Sequence, residues 1–296
     1  MRASRKEKLE PRPAFGRTRR PGFTLIELLI VVAIVAILAA MLLPALDKGK
    51  RRAQGVYCMN NHRQLCLAWR MYADDNRDVL VYASQNPTTP WLDKYSWCLG
   101  TMDFDPNNQG NWDINYDITQ RPLWPYNQNA HIYKCPADRS CVVVNGEQKP
   151  RVRTMSMNMY VGGFDGTDLD WAPAWNYRIY SKLSELANPG GPPDKIFVFL
   201  DEREDCINWG NYWTDMDGYQ PLNPAIYKFW QDLPGFYHHR AAGFSFADGH
   251  SEIHRWRYDA TMPPLQPGTA TSGNFVYWVP RDLDVAWMQD HSTRPK

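Results

Sequence analysis

The segment from Phe23 to Leu43 constrains this chain more than any other. It holds one ionisable side chain, Glu27; the rest are Leu, Ile, Val, Ala, Met, Phe and Thr. As a helix at 1.5 Å per residue the run is about 31 Å long, roughly the hydrocarbon thickness of a bilayer. A helix lying on a soluble core would carry a polar stripe, and this one has none. The run therefore reads as a membrane-spanning helix. A secretory signal peptide is the nearest competitor. Its apolar stretch would be shorter and would end in a small-residue cleavage site, for which Leu43-Pro44-Ala45 is a weak match. Glu27 near the start of the run does not suit a signal peptide. A carboxylate inside a membrane is costly unless paired, which makes Glu27 a candidate functional residue.

Charge orients the helix. Formal net charge is +1, so no global field draws the chain to nucleic acid. The positive charge is local: residues 1–22 carry Arg2, Arg5, Lys6, Lys8, Arg12, Arg17, Arg19 and Arg20 against Glu7 and Glu10. By the positive-inside rule this end stays cytoplasmic and the C-terminal bulk lies outside, although Lys48, Lys50, Arg51 and Arg52 weaken the contrast.

The stretch Gly22-Phe23-Thr24-Leu25-Ile26-Glu27, behind a basic leader and ahead of the apolar helix, resembles the prepilin motif of type IV pilins and type II secretion pseudopilins. The leader is longer than in many members of that family. The resemblance implies cleavage by prepilin peptidase between Gly22 and Phe23, and N-methylation of Phe23. It also implies that Glu27 pairs with the Phe23 amine of a neighbouring subunit during assembly. The physics agrees, because a buried ammonium and a buried carboxylate each remove the other's penalty. Pro44 matches a proline that pilins often carry at the end of this segment.

Residues 45 to about 73 are rich in helix formers and carry Val56, Met59, Leu65, Leu67, Trp69 and Met71, an apolar side for a globular domain. Gly55 is a weak point in that helix, and Tyr72-Ala73-Asp74-Asp75-Asn76 reads as its end. The expected organisation is a cleaved leader over 1–22, a transmembrane helix over 23–43, its extracytoplasmic continuation over 44–76 and a globular head over 77–296. The fold class is α+β: a long N-terminal helix packed on a mainly antiparallel β-sheet head with long loops.

Within the head, Val79-Leu80-Val81-Tyr82 and Arg151–Met157 read as strands, and Val142-Val143-Val144 reads more weakly as one. Lys195–Asp201 is nearly all apolar and is expected to be buried on both faces. Phe244–Ile253 reads as a hairpin about a two-residue Asp248-Gly249 turn. That register places Phe244 opposite Ile253, with His250, Glu252 and His254 on the solvent side. His238 followed at a fixed distance by Asp248-Gly249 resembles the H-x9-DG processing-associated module of prepilin-like proteins. Asn60-Asn61, Tyr72–Asn76, Cys135-Pro136-Ala137-Asp138 and Phe199-Leu200-Asp201-Glu202 resemble other recurrent blocks of those proteins.

The six cysteines form no Cys-x-x-Cys, which argues against a zinc ribbon or a redox motif. In an exported domain an even count suggests disulfides. Cys58 and Cys135, both in blocks covered by the resemblance, are the chosen pair. A metallohydrolase site of His238, Asp248 and His250 is disfavoured, because the hairpin explains Asp248 by its turn. No nucleophile elbow, phosphate-binding loop or HExxH helix is present. The chain is therefore not expected to be an enzyme. Calcium is the one candidate cofactor, at Asp215 and Asp217, since hard oxygen ligands beside Gly218 suit it and major pseudopilins carry a C-terminal calcium site.

The expected function is structural: a pseudopilin-like inner-membrane subunit assembling through its helix into a type II secretion pseudopilus or related filament. Its partners would be prepilin peptidase, other pilin-type subunits and the lipid bilayer, with no nucleic acid. One alternative is a type IV pilin used in adhesion or DNA uptake. Another, suggested by thirteen Trp, is an exported carbohydrate-binding module on a pilin-like anchor.

Overall fold

The computed structural model describes residues 23–86, 88–164, 176–187, 190–271 and 275–296. They fall into two units, one ending at Lys48 and the other running from Gly49 to Lys296. The division falls, in sequence, inside helix α1 (Leu25–Asp75). In the first unit α1 is exposed on every side, as an apolar run without a polar stripe must be in the absence of a covering surface. In the second unit the helix becomes two-faced. Gly55, Cys58, His62, Leu65, Cys66, Trp69, Tyr72 and Ala73 are buried, at the steps of three and four that line one face of a helix. The helix stops at Asp75, and Arg77 and Asp78 then take positive φ.

Two short helices follow, α2 (Ile114–Asp117) and α3 (Trp124–Asn127). The strands are β1 (Cys141–Val144), β2 (Glu147–Pro150), β3 (Met155–Asn158), β4 (Phe197–Asp201), β5 (Asn211–Tyr212), β6 (Lys228–Trp230), β7 (Ala241–Phe246), β8 (Ser251–Arg255) and β9 (Val276–Trp278). Helix α4 (Leu283–Asp290) closes the chain, with the Asp282 side chain accepting from the Asp284 N–H as its N-cap. Among the described residues the main sheet runs in the order β5-β3-β4-β7-β8, antiparallel except for β3 beside β5. β1 with β2 and β6 with β9 form separate antiparallel pairs. The fold is α+β with a long apolar N-terminal helix and mainly antiparallel sheets.

β4 is buried at all five positions, Phe197–Leu200 because they are apolar and Asp201 because His62 and the Gly243 N–H meet its carboxylate. The second-unit part of α1 lies on the sheet: Cys66 Sγ is 3.1 Å from the Phe246 carbonyl, Ser251 Oγ donates to the Met59 carbonyl at 2.9 Å, and Arg70 donates to the Ala247 carbonyl at 2.7 Å. Gly55 makes this approach close, since a Cβ there would stand 2.9 Å from Ile253 Cδ1. A second apolar cluster joins Phe197, Leu200, Phe244, Phe246 and Trp256 to Val285 and Met288 of α4. Aromatic rings fill both: Trp69, Trp97 and Trp256 are buried, and Trp97 stacks on Tyr133 with centroids 5.9 Å apart.

Three local expectations change. Val79 and Tyr82 make only isolated bridges, to Lys182 and Ser96, because successive residues of that segment bond to different loops rather than to one strand. The two-residue turn belongs to Asn145-Gly146, both at positive φ (52° and 84°), between paired Val144 and Glu147. The Asp248-Gly249 hairpin has a three-residue loop instead. Gly249 N–H donates to the Phe246 carbonyl at 2.8 Å, and only Gly249 of the loop takes positive φ, at 99°. Asp248 stays at negative φ because its carboxylate accepts the His250 N–H at 3.0 Å, a side-chain turn that a type I′ geometry would break. The extra residue slips the register by one. Phe244 faces Glu252, and Ile253 sits opposite Gly243 on the α1 face. His254 leaves the solvent and stacks on Trp287, with centroids 3.6 Å apart.

Candidate functional site

The N-terminal site is built by the first turn of α1. Thr24 stands before the helix, and its carbonyl accepts the Leu28 N–H at 3.3 Å. The Thr24 backbone N–H and hydroxyl donate to Glu27 Oε2 at 2.9 and 2.7 Å, and the Glu27 N–H returns to Thr24 Oγ1 at 3.3 Å. This is a capping box, in which N-cap and N3 side chains satisfy each other's orphan donors. It also places a carboxylate at the positive end of the helix dipole. The spacing Thr-x-x-Glu carries this signal in the sequence, and reading Glu27 only as an assembly residue overlooks it. Glu27 thus has a partner within its own chain. Phe23 and the apolar side chains behind it are exposed. Gly22 and the leader lie outside the described residues.

In the second unit the structure gathers residues from four distant parts of the chain. Cys58 comes from α1 and Cys135 from the loop after the turn Ala130–Tyr133. Asp201 ends β4, and His238 precedes β7. One ligand-capable atom from each lies within 4.8 Å of every other. Cys58 Sγ is 3.1 Å from Asp201 Oδ2, Cys135 Sγ is 3.2 Å from His238 Nε2, and His238 Nε2 is 3.6 Å from Asp201 Oδ2. Cys58, Cys135 and Asp201 are at most 1% exposed. The chosen cysteine pair is therefore brought together, and both residues are free thiols here.

Burial pushes the Cys58 thiol well above its ordinary value. For Asp201, burial acts upward, but the His62 and His238 imidazoles outweigh it and hold the carboxyl below the usual range. For His238, burial acts downward, and hydrogen bonds to Asp201 and Cys135 outweigh it, pushing the imidazole up to about 10.

His238 joins this cluster and not the remainder of its sequence motif. Asp248 and His250 pair with each other across the hairpin turn, Nδ1 to Oδ1 at 2.6 Å, which leaves the trio of His238, Asp248 and His250 without a common centre. At the candidate calcium loop a cation is already present. Lys228 Nζ lies 3.1 Å from Asp215 Oδ2 and 2.7 Å from Asp217 Oδ2. The ammonium supplies the charge that a calcium ion would bring.

Comparison with known proteins bears on the N-terminal part. Residues 17–43 match the family described as the prokaryotic N-terminal methylation motif. Over 55 residues, 19% of this chain, the sequence is 47% identical to the type IV wide pilus major component PilA4 of Thermus thermophilus. The chain covers 42% of that relative's length. No solved structure matches significantly. The chain thus carries a type IV pilin-type methylation signal directly before a helix long and apolar enough to cross a membrane.

Proposed function

We propose that this protein is a structural subunit of a type IV pilin-like filament, anchored in the inner membrane until it assembles. Prepilin peptidase cuts between Gly22 and Phe23 and methylates the new amine. Residues 23–43 span the bilayer, and the head over 77–296 lies outside the cytoplasm. The observation that carries this reading is the methylation motif joined to a helix whose first half is apolar on every side. Such a surface needs lipid or other helices around it. In a filament, neighbouring α1 helices supply that cover, and Glu27 meets the Phe23 ammonium of the next subunit.

The filament is assigned to a type II secretion pseudopilus or a related assembly. The relative named as a wide-pilus major component favours a second version, a surface pilus, on the same chemistry. Isolating sheared surface filaments and membrane pseudopili, and quantifying this chain in each, tests both. Enrichment with other pilin-type subunits is expected. Recovery only as dispersed membrane protein would overturn the proposal. Loss of secretion on deletion would favour the pseudopilus, and loss of adhesion or DNA uptake the pilus.

A further inference from the structure

We propose that Cys58, Cys135, Asp201 and His238 form a structural zinc site that ties α1 to the head. The donor set is two thiolates, one imidazole and one carboxylate, the ligand types that zinc takes in closed tetrahedral sites. With Zn–S of about 2.3 Å and Zn–N or Zn–O of about 2.0–2.2 Å, tetrahedral edges are about 3.6 Å for sulfur to nitrogen or oxygen and about 3.4 Å for nitrogen to oxygen. The separations of 3.1, 3.2 and 3.6 Å between Cys58 and Asp201, Cys135 and His238, and His238 and Asp201 lie within about 0.5 Å of those edges.

Convergence on one point separates this arrangement from a nucleophilic triad. In a triad, the acid and the nucleophile use opposite nitrogens of the histidine, so that the ring relays a proton. Here Asp201 and Cys135 both approach Nε2 of His238. A single centre facing all four donors is what that geometry serves.

The surroundings hold the ligands in place. The Gly243 N–H donates to Asp201 Oδ2 at 2.9 Å, and His62 Nε2 lies 3.3 Å from Asp201 Oδ1, the outer contacts that orient a ligating carboxylate. A Cβ at Gly243 would stand 2.7 Å from the His62 ring and 2.9 Å from Asp201 Oδ2, so only glycine leaves room for this cradle. Thr154 Oγ1 accepts the Cys135 N–H at 2.7 Å. Cys135 also borders a cleft lined by Tyr57, Lys134 and Arg151, which gives an ion a way in. Four protein ligands leave no open position for substrate, so the role is cross-linking. Binding releases the thiol protons and stabilises the folded head over the unfolded chain.

The test uses the full chain extracted in detergent, purified under reducing conditions without chelator, with metal content measured by elemental analysis. One zinc per chain is expected. Cobalt(II) in its place should give a thiolate charge-transfer band and the intense d–d bands of a tetrahedral site. Cys135→Ser and His238→Gln should lose the zinc and the bands. Cys66→Ser, which alters a buried cysteine outside the cluster, should keep both. If Cys135→Ser fails to fold, the wild-type cobalt spectrum still decides, since a spectrum without thiolate charge transfer overturns the site. Reduced protein that takes up neither metal also overturns it. So does a Cys58–Cys135 disulfide in protein taken directly from membranes.

Discussion

Thr24 and Glu27 close a reciprocal cap at the start of the apolar helix, with three hydrogen bonds between them at 2.7–3.3 Å. The carboxylate therefore shapes the first turn directly behind the proposed cleavage site. Losing an N-cap hydroxyl costs about 1 kcal/mol, roughly a fivefold change in opening of that turn. Thr24→Ala should raise hydrogen exchange at the Glu27 amide by about that factor in detergent. Thr24→Ser should leave it unchanged. Equal exchange in Thr24→Ala and wild type would contradict the cap.

Processing is read at the new terminus. The mature chain should begin with N-methylated Phe23, and Gly22→Leu should leave the leader attached. Mass spectrometry of the membrane-extracted N-terminal peptide measures both. A peptide spanning Arg20 to Glu27 as the dominant wild-type species would be incompatible with cleavage.

Two glycines at the contact between α1 and the sheet, Gly55 on the helix and Gly243 on β7, should respond differently to alanine. At Gly243 a methyl meets the His62 ring and Asp201, both held in place, so overpacking of about 1–3 kcal/mol is expected. At Gly55 the methyl clashes with the tip of Ile253 and touches His238 only at ordinary contact distance, and the better helix propensity of alanine offsets part of the clash. Thermal melting followed by near-UV circular dichroism should place Gly243→Ala well below Gly55→Ala. The reverse order would contradict the packing described.

His254 gives the head an acid sensitivity. Burial, followed by the nearby His291 and Arg257 charges, lowers its imidazole from 6.5 to about 4. Between those values the unfolded chain binds the proton and the folded head does not. Stability therefore falls as pH drops from 6.5 through 4, by up to about 3 kcal/mol. His254→Phe keeps a ring on Trp287 and removes the titration, so its unfolding midpoint should vary less over that window. An unchanged pH profile in His254→Phe would exclude His254 as the source.

The sequence showed most plainly what depends on contiguous residues. The apolar run, the helix end near Asp75 and the buried strand β4 are each set by one unbroken stretch, and each was readable. The hairpin at Asp248 misled because Asp-Gly serves both the two-residue turn and the longer loop. The Asp248 carboxylate, by capping His250, selects the longer one. Asn-Gly at 145–146 carries the two-residue turn instead, since both residues tolerate the positive φ it needs. The Cys58, Cys135, Asp201 and His238 cluster had no local spacing to betray it, because its members lie on four separate segments. All four nevertheless lie in stretches that the resemblance covers.

In the proposed filament the charge of Glu27 joins one subunit to the next. Glu27→Gln keeps an N3 acceptor for the cap and loses the charge, whereas Glu27→Val loses both. Either change lowers the cost of inserting a charged side chain, so both variants should enter the membrane and be cleaved normally. The deciding measurement is the ratio of each variant to co-expressed wild type in purified filaments, relative to their ratio in the membrane. Exclusion of both Glu27→Gln and Glu27→Val from the filament fraction is the predicted result. Incorporation of Glu27→Gln at the wild-type ratio would contradict charge pairing and leave Glu27 with its capping role alone.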